Sequence, residues 1–161
     1  MILLDTHVLI WMSSDPKQIS RKAREVIREA REKTGIGVAS ITLWELAWLA
    51  ENRRVVASGS VESFVRETIS RVIVMPITPE IVALAVRMPD LYPKDPADRL
   101  IASTAIVEGI PLVTADERIR QAKIVPTIWP TTPPGPVARR FSAAVTPPRT
   151  LASAPSAAKM I

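Results

Sequence analysis

The chain has 161 residues, 47% of them hydrophobic, and a formal net charge of +5. That length suits one domain with a sizeable core; no apolar run approaches the roughly 18 residues of a membrane-crossing helix, and the absence of cysteine excludes disulfides and thiolate metal sites. Arg139, Arg140, Arg149 and Lys159 lie in a segment without acids, residues 130–161, so most of the net charge belongs to that end and is weak evidence for a nucleic-acid partner.

Met1–Leu4 is wholly apolar and stops at Asp5. Ile2-Leu3-Leu4 shows no alternation, as expected of a strand covered by helices on both faces. No basic segment precedes it, so no secretory signal is expected; with no cysteine, a cytoplasmic location is. Thr6 suits the N-cap of a short helix carrying Val8, Leu9, Ile10 and Trp11, and Ser13–Pro16 reads as a turn. From Ser20 to Lys33, acids and bases interleave around Ala23, Ile27 and Ala30, the pattern of a helix with one wet face. Gly35 and Gly37 break it.

Ile36–Ala39 is the second expected strand, followed by a helix opening at Thr42 and ending near Asn52. A further helix is expected over Ser60–Ser70, a third strand over Val72–Met75, and a helix over Glu80–Met88 with Pro79 at its start. After a loop at Asp90–Lys94, Asp95-Pro96 opens a helix in which Leu100, Ile101, Thr104, Ala105 and Val107 recur at helical spacing; Glu108-Gly109 closes it. Pro111–Thr114 is a short apolar strand with Asp116 at its exit. Ile124–Trp129 is the last strand, and Pro126 within it assigns it to an edge. Short apolar strands alternating with helices indicate an α/β domain with a mainly parallel sheet, spanning 1–129. Residues 130–161 hold seven prolines and no acid, a composition that cannot build a core and is expected to be a disordered tail.

Four acids stand out, and each has a local explanation. Thr42-x-x-Glu45 is a capping box, Asp95-x-x-Asp98 can cap the next helix, Asp116 can cap the one after it, and Asp5 can serve its turn. Topology adds a second reading. The carboxyl ends of parallel strands share one edge, where ligands bind, and Asp5, Glu45 and Asp116 all follow strands. Asp98 opens the helix before one. Carboxylates brought together repel by about 4 kcal/mol per pair at 4 Å and an effective dielectric near 20. A hard cation relieves that cost, and an all-oxygen donor set suits Mg²⁺ or Mn²⁺. Lys94 and Arg99 are the nearby bases in the sequence; Arg99 is read as an ion-pair partner for the acids or a phosphate contact. His7, the single histidine, reads as a helix-start residue, and Trp44 and Trp48, four apart on one helix face, as core or as a partner surface.

Leu3–Trp11, Ala39–Leu46, Asp95–Ala102 and Leu112–Asp116 resemble, in order and spacing, the four motif blocks of PIN-domain ribonucleases, above all the VapC-type toxins of bacterial and archaeal toxin–antitoxin pairs. The resemblance covers residues 1–129 and implies a PIN-like three-layer fold with helices on both sides of the sheet. It implies a Mg²⁺-dependent endoribonuclease with Asp5, Glu45, Asp98 and Asp116 as metal-binding, catalytic acids, supported by Thr114, Asp95, Ser40 and Arg99. The partners it implies are RNA, a cognate antitoxin and a second copy of the chain, with no membrane. The alternative is a catalytically silent PIN-fold protein that binds RNA or a partner. A haloacid-dehalogenase-type phosphatase would need a second Asp at position 7, where His7 stands; a receiver-like domain would need adjacent acids near the first strand.

Overall fold

The computed structural model describes residues 1–130. Its centre is a sheet of five strands, β1 (Ile2–Leu4), β2 (Ile36–Ala39), β3 (Ile73–Met75), β4 (Leu112–Val113) and β5 (Thr127–Ile128), in the order β3-β2-β1-β4-β5, every pairing parallel. Helices α1 (Thr6–Ser14), α2 (Arg21–Lys33), α3 (Ile41–Glu51), α4 (Val61–Thr68), α5 (Pro79–Arg87), α6 (Pro96–Val107) and α7 (Glu117–Ala122) supply the covering layers. All but Pro130 of the expected disordered tail lies outside the described residues.

Successive strand residues point to opposite faces, and β1 shows the consequence. Ile2 and Leu4 join a core with Val8, Ile27 and Leu46 from α1, α2 and α3. Leu3 points the other way, to Ile101 and Ala105 of α6 and Ile119 of α7. All three strand residues are buried, which explains the unbroken apolar run. Gly37 in β2 lets the second face close: a Cβ there would lie 3.1 Å from Met75 Sδ and 3.5 Å from Leu3 Cδ1.

The order of strands positions the site. The chain steps outward from β1 through β2 to β3, then returns to lay β4 on the opposite side of β1. The order therefore reverses between β1 and β4, and in open parallel sheets the crevice at such a reversal is where ligands bind. Register fixes it closely: Leu4 pairs with Val113, and Asp5 N–H donates to Val113 O at 3.1 Å.

Local signals set most boundaries. Ser20, Ser60 and Thr78 accept N-cap hydrogen bonds from Ala23, Ser63 and Ile81. Gly109, at φ +64°, takes the left-handed backbone that follows α6. β5 is an edge strand, as expected, but shorter than the expected Ile124–Trp129, so Pro126 lies just before it and supplies its carbonyl to Leu112 N–H at 2.9 Å. Near the N-terminus the reading needs correction. Asp5, not Thr6, occupies the N-cap position of α1, and the helix runs through Ser14 where a turn was expected.

Leu3 lies wholly inside the second core, so Leu3→Ala should cost about 2–5 kcal/mol, the range for truncating a buried leucine. Urea unfolding of the two proteins measures the difference.

Candidate active site

Asp5 leaves β1 at the reversal point and is buried. Its carboxylate makes no cap bond to α1. Instead Asp5 Oδ2 accepts from Thr114 Oγ1 at 2.6 Å, across the β1–β4 junction. The same Thr114 oxygen accepts from Asp116 N–H at 3.0 Å. One buried hydroxyl therefore fixes two of the acids. Turn service, the local explanation for Asp5, does not hold.

Glu45 differs from its expected local role as well. The N-cap position of α3 is Ser40, whose side chain makes no cap bond, so Thr42 and Glu45 form no capping box. Both are buried, and Glu45 Oε2 accepts from Thr6 Oγ1 at 2.6 Å. Thr6 has a single hydroxyl hydrogen to share between Glu45 and Thr42 Oγ1 at 3.1 Å; the shorter, charge-assisted contact takes it. Thr6 is the site residue that reading the sequence missed, because a hydroxyl directly after a strand-ending acid looks like a cap.

Asp95 and Asp116 keep their local roles. Asp95 Oδ1 accepts from Ala97 N–H at 2.8 Å and from Asp98 N–H at 3.3 Å. Asp116 Oδ1 accepts from Arg118 N–H at 2.7 Å and Ile119 N–H at 3.2 Å, and its other oxygen meets the Arg118 guanidinium at 3.2 Å. Arg118 also lies 3.9 Å from Asp98 Oδ2. It is the second residue missed, two positions past Asp116 in the first turn of α7.

Arg99 requires a correction. It pairs with none of the acids; its guanidinium donates to Pro93 O at 2.9 Å, Met88 O at 3.1 Å and Ala85 O at 3.4 Å. It ties the end of α5 to the loop before α6, satisfying carbonyls with its planar fork. Lys94 is exposed. His7 packs on Trp11, ring centroids 6.1 Å apart. Trp48 packs partly against the first core, whereas Trp44 is 53% exposed.

The electrostatics show how closely the acids are gathered. Burial, then the charges of Asp5, Asp95, Asp116 and Glu45, push the Asp98 carboxyl up to about 8. Burial raises Glu45 to about 7, with Asp5 and Asp95 adding to it against the Thr6 hydrogen bond. Burial also pushes Asp116 up, but Arg118 and the backbone N–H groups of Ile119 and Arg118 outweigh it and hold the carboxyl below its usual range. The cluster is short of positive charge.

The donor set suits a hard divalent cation: carboxylates and hydroxyls, with no sulfur, and the one imidazole engaged with Trp11. Among the described residues, no three acids or imidazoles already close on a common point as a cage. Mg²⁺ needs no such cage, because it takes one or two carboxylates and keeps several waters.

The PIN domain family model matches residues 2–125. Ribonuclease VapC22 of Mycobacterium tuberculosis is 44% identical over 119 residues, covering 74% of this chain and 89% of that protein. Among solved structures, VapBC2 from Rickettsia felis bound to a promoter DNA fragment matches at TM-score 0.58 and 17% identity, over 79% of this chain and 97% of that one. A toxin–antitoxin complex from Klebsiella pneumoniae matches at TM-score 0.58 and 21% identity, over 80% and 97%. These two structures establish likeness of fold.

The raised carboxyls have a consequence for stability. A carboxyl raised by folding contributes stability that is complete below its unfolded value and is lost as pH rises through the folded one. For Glu45 and Asp98 that window runs from about 4 to about 8. Asp116, held low, acts in the opposite sense, losing its contribution as pH falls below that window. In EDTA, thermal unfolding should therefore move to lower temperature between pH 5 and pH 8. Asp98→Asn should flatten the slope, and Mg²⁺ should restore more stability at pH 8 than at pH 5. Scanning calorimetry at the two pH values checks all three.

Proposed function

The chain belongs to the PIN-domain family, and from that premise we propose that it is a Mg²⁺-dependent endoribonuclease acting as the toxin of a VapBC-type pair. The observation that carries the reading is the placement of Asp5, Glu45, Asp98 and Asp116 by the reversal of strand order, where burial first and neighbouring carboxylates second raise Asp98 and Glu45. Such an arrangement is costly unless a cation compensates it. The 44% identity to a protein named as a VapC ribonuclease supports the same assignment.

Asp5, Asp98, Asp116 and Glu45 would hold the ion, with Mn²⁺ as the other hard cation that fits. A divalent ion there supplies charge neutralisation at the phosphate and lowers the pKa of water. The chain's own residues do the positioning. Thr114 fixes the Asp5 carboxylate and the Asp116 backbone together. Thr6 fixes Glu45, which like Asp116 is a carboxylate suited to orient the attacking water. Arg118, beside Asp98 and Asp116, is the basic group suited to a substrate phosphate; Asp95 holds the start of α6 so that Asp98 stays on the cluster. Ser40 and Arg99 support the surroundings through the ends of α3 and α5 without touching the acids.

The partners proposed are RNA, an antitoxin protein that masks the site, and a second copy of the chain. No helix of the described residues is long and apolar enough to cross a membrane, and a cytoplasmic site of action goes with an RNA substrate. A domain boundary at residue 129 separates the nuclease from the tail.

Asp5→Asn and Asp98→Asn should each reduce Mg²⁺-dependent cleavage of RNA by at least about a hundredfold, with the circular dichroism spectrum of the parent. Thr114→Val, which removes only the hydroxyl, should cost about 10–100-fold, as expected when a group orienting metal-binding carboxylates is lost. Cleavage at parental rates by both Asp variants, in preparations cleared of contaminating nuclease, would sink the reading. Metal-independent RNA binding without cleavage by the parent would favour the silent PIN-fold alternative.

A further inference from the structure

A cavity of about 300 Å³ lies between α3 and the start of α6, with Ile41, Trp44, Trp48 and Pro96 among its apolar lining and Glu45 and Asp95 as its acidic members. Its volume is at the lower end of the range, about 300–1,000 Å³, in which small organic ligands are held. Ile41, Trp44 and Trp48 share one face of α3 because they are three and four residues apart. Trp48 leans partly on the core, but Trp44 stays 53% exposed, a large aromatic surface left to solvent beside the acids.

The position of the cavity argues for its occupant. Glu45 belongs both to this lining and to the acid cluster. Asp95, also in the lining, is close enough to raise the Asp98 and Glu45 carboxyls by its charge. An RNA strand with a phosphate at the acids can place a neighbouring nucleotide here or in the cavity lined by Lys94 and by Arg118, which also lies beside Asp98. The latter offers cations, which suit phosphate; the former offers indole rings, which suit the face of a base. Asp95 adds a polar handle. Its Oδ1 takes both cap N–H groups, so Oδ2 is open to accept from an N–H on a base edge.

We propose that the cleft between α3 and the start of α6 is a nucleobase subsite, in which Trp44 and Trp48 stack on one unpaired base next to the phosphate at the acids and Asp95 accepts a hydrogen bond from its edge. The inference rests on the ribonuclease reading and extends it: the subsite selects single-stranded RNA, because a base within a duplex cannot enter.

The test uses the full chain and a fluorescein-labelled pool of random-sequence, single-stranded 12-nucleotide RNA, with an abasic ribose-phosphate strand of equal length as control. Binding is measured in the Asp98→Asn background, and cleavage of the pool with Asp98 intact. Trp44→Ala should weaken binding of the pool about 5- to 150-fold, the equivalent of the roughly 1–3 kcal/mol of one stacked base. It should leave binding of the abasic strand unchanged, and Trp44→Phe should retain most of the affinity. In cleavage, Trp44→Ala should raise KM by a similar factor with kcat little changed. Equal binding of the pool with and without Trp44, or equal losses on both strands, would overturn the subsite. So would unchanged RNA binding together with loss of a co-expressed antitoxin by Trp44→Ala, which would give the cleft to a protein partner. Failure of the parent to bind or cleave any RNA removes the ribonuclease reading itself, whereas cleavage unaffected by Trp44 removes the subsite alone.

Discussion

The hydrogen bond from Thr114 to Asp5, 2.6 Å across the β1–β4 junction, depends on a sheet that places strands distant in sequence side by side. Parallel pairing sends both chain exits to the same edge, and the reversal of strand order leaves a crevice there. Four acids then meet at that crevice: Asp5 and Asp116 from the strand exits, Glu45 from the first turns of α3, and Asp98 from the first turn of α6. The hydrophobic layers above and below β1 hold the acids at close quarters against their repulsion. Stability invested in the core is in this sense what makes a crowded, polar edge tolerable.

Two hydroxyls determine how the crowding is arranged. Thr6 and Thr114 are buried and each donates to a carboxylate at 2.6 Å. Charge-assisted bonds of this kind fix rotamers that repulsion would otherwise scatter. Arg118 pairs with Asp116 at 3.2 Å and lies 3.9 Å from Asp98, and among the described residues no salt bridge reaches Glu45. Burial and unequal hydrogen bonding separate the carboxyls: Arg118 and backbone N–H groups hold Asp116 low, while burial, with neighbouring charges adding to it, pushes Asp98 and Glu45 up.

Most of the fold could be read from runs and breaks. The unbroken apolar strands, the caps at Ser20, Ser60 and Asp95, and the proline that consigns β5 to an edge each carry their signal within a few residues. The shared edge of Asp5, Glu45 and Asp116 also followed from topology, since it required only that the strands be parallel; Asp98, which opens the helix before a strand, did not follow from that alone. What could not be read was how each side chain spends its hydrogen bonds. Thr42-x-x-Glu45 has the spacing of a capping box, yet Glu45 turns to Thr6, 39 residues away, because the fold brings that hydroxyl nearer than its own helix end. Arg99 sits beside Asp98 in sequence but on another face of α6, where the carbonyls of Ala85, Met88 and Pro93 claim it. Arg118 reaches the cluster only because α7 starts at the same edge. Non-local partners of this kind leave no mark in a short window of sequence.

The claim on which the account turns is that these oxygens gather around a hard cation. Crystals grown with Mn²⁺, with anomalous scattering recorded on both sides of the manganese edge, test it most directly. The account predicts a peak in contact with Asp5 and with at least one of Asp98, Asp116 and Glu45. Manganese bound elsewhere, with those four carboxylates each engaged only by neighbouring protein groups, would contradict it.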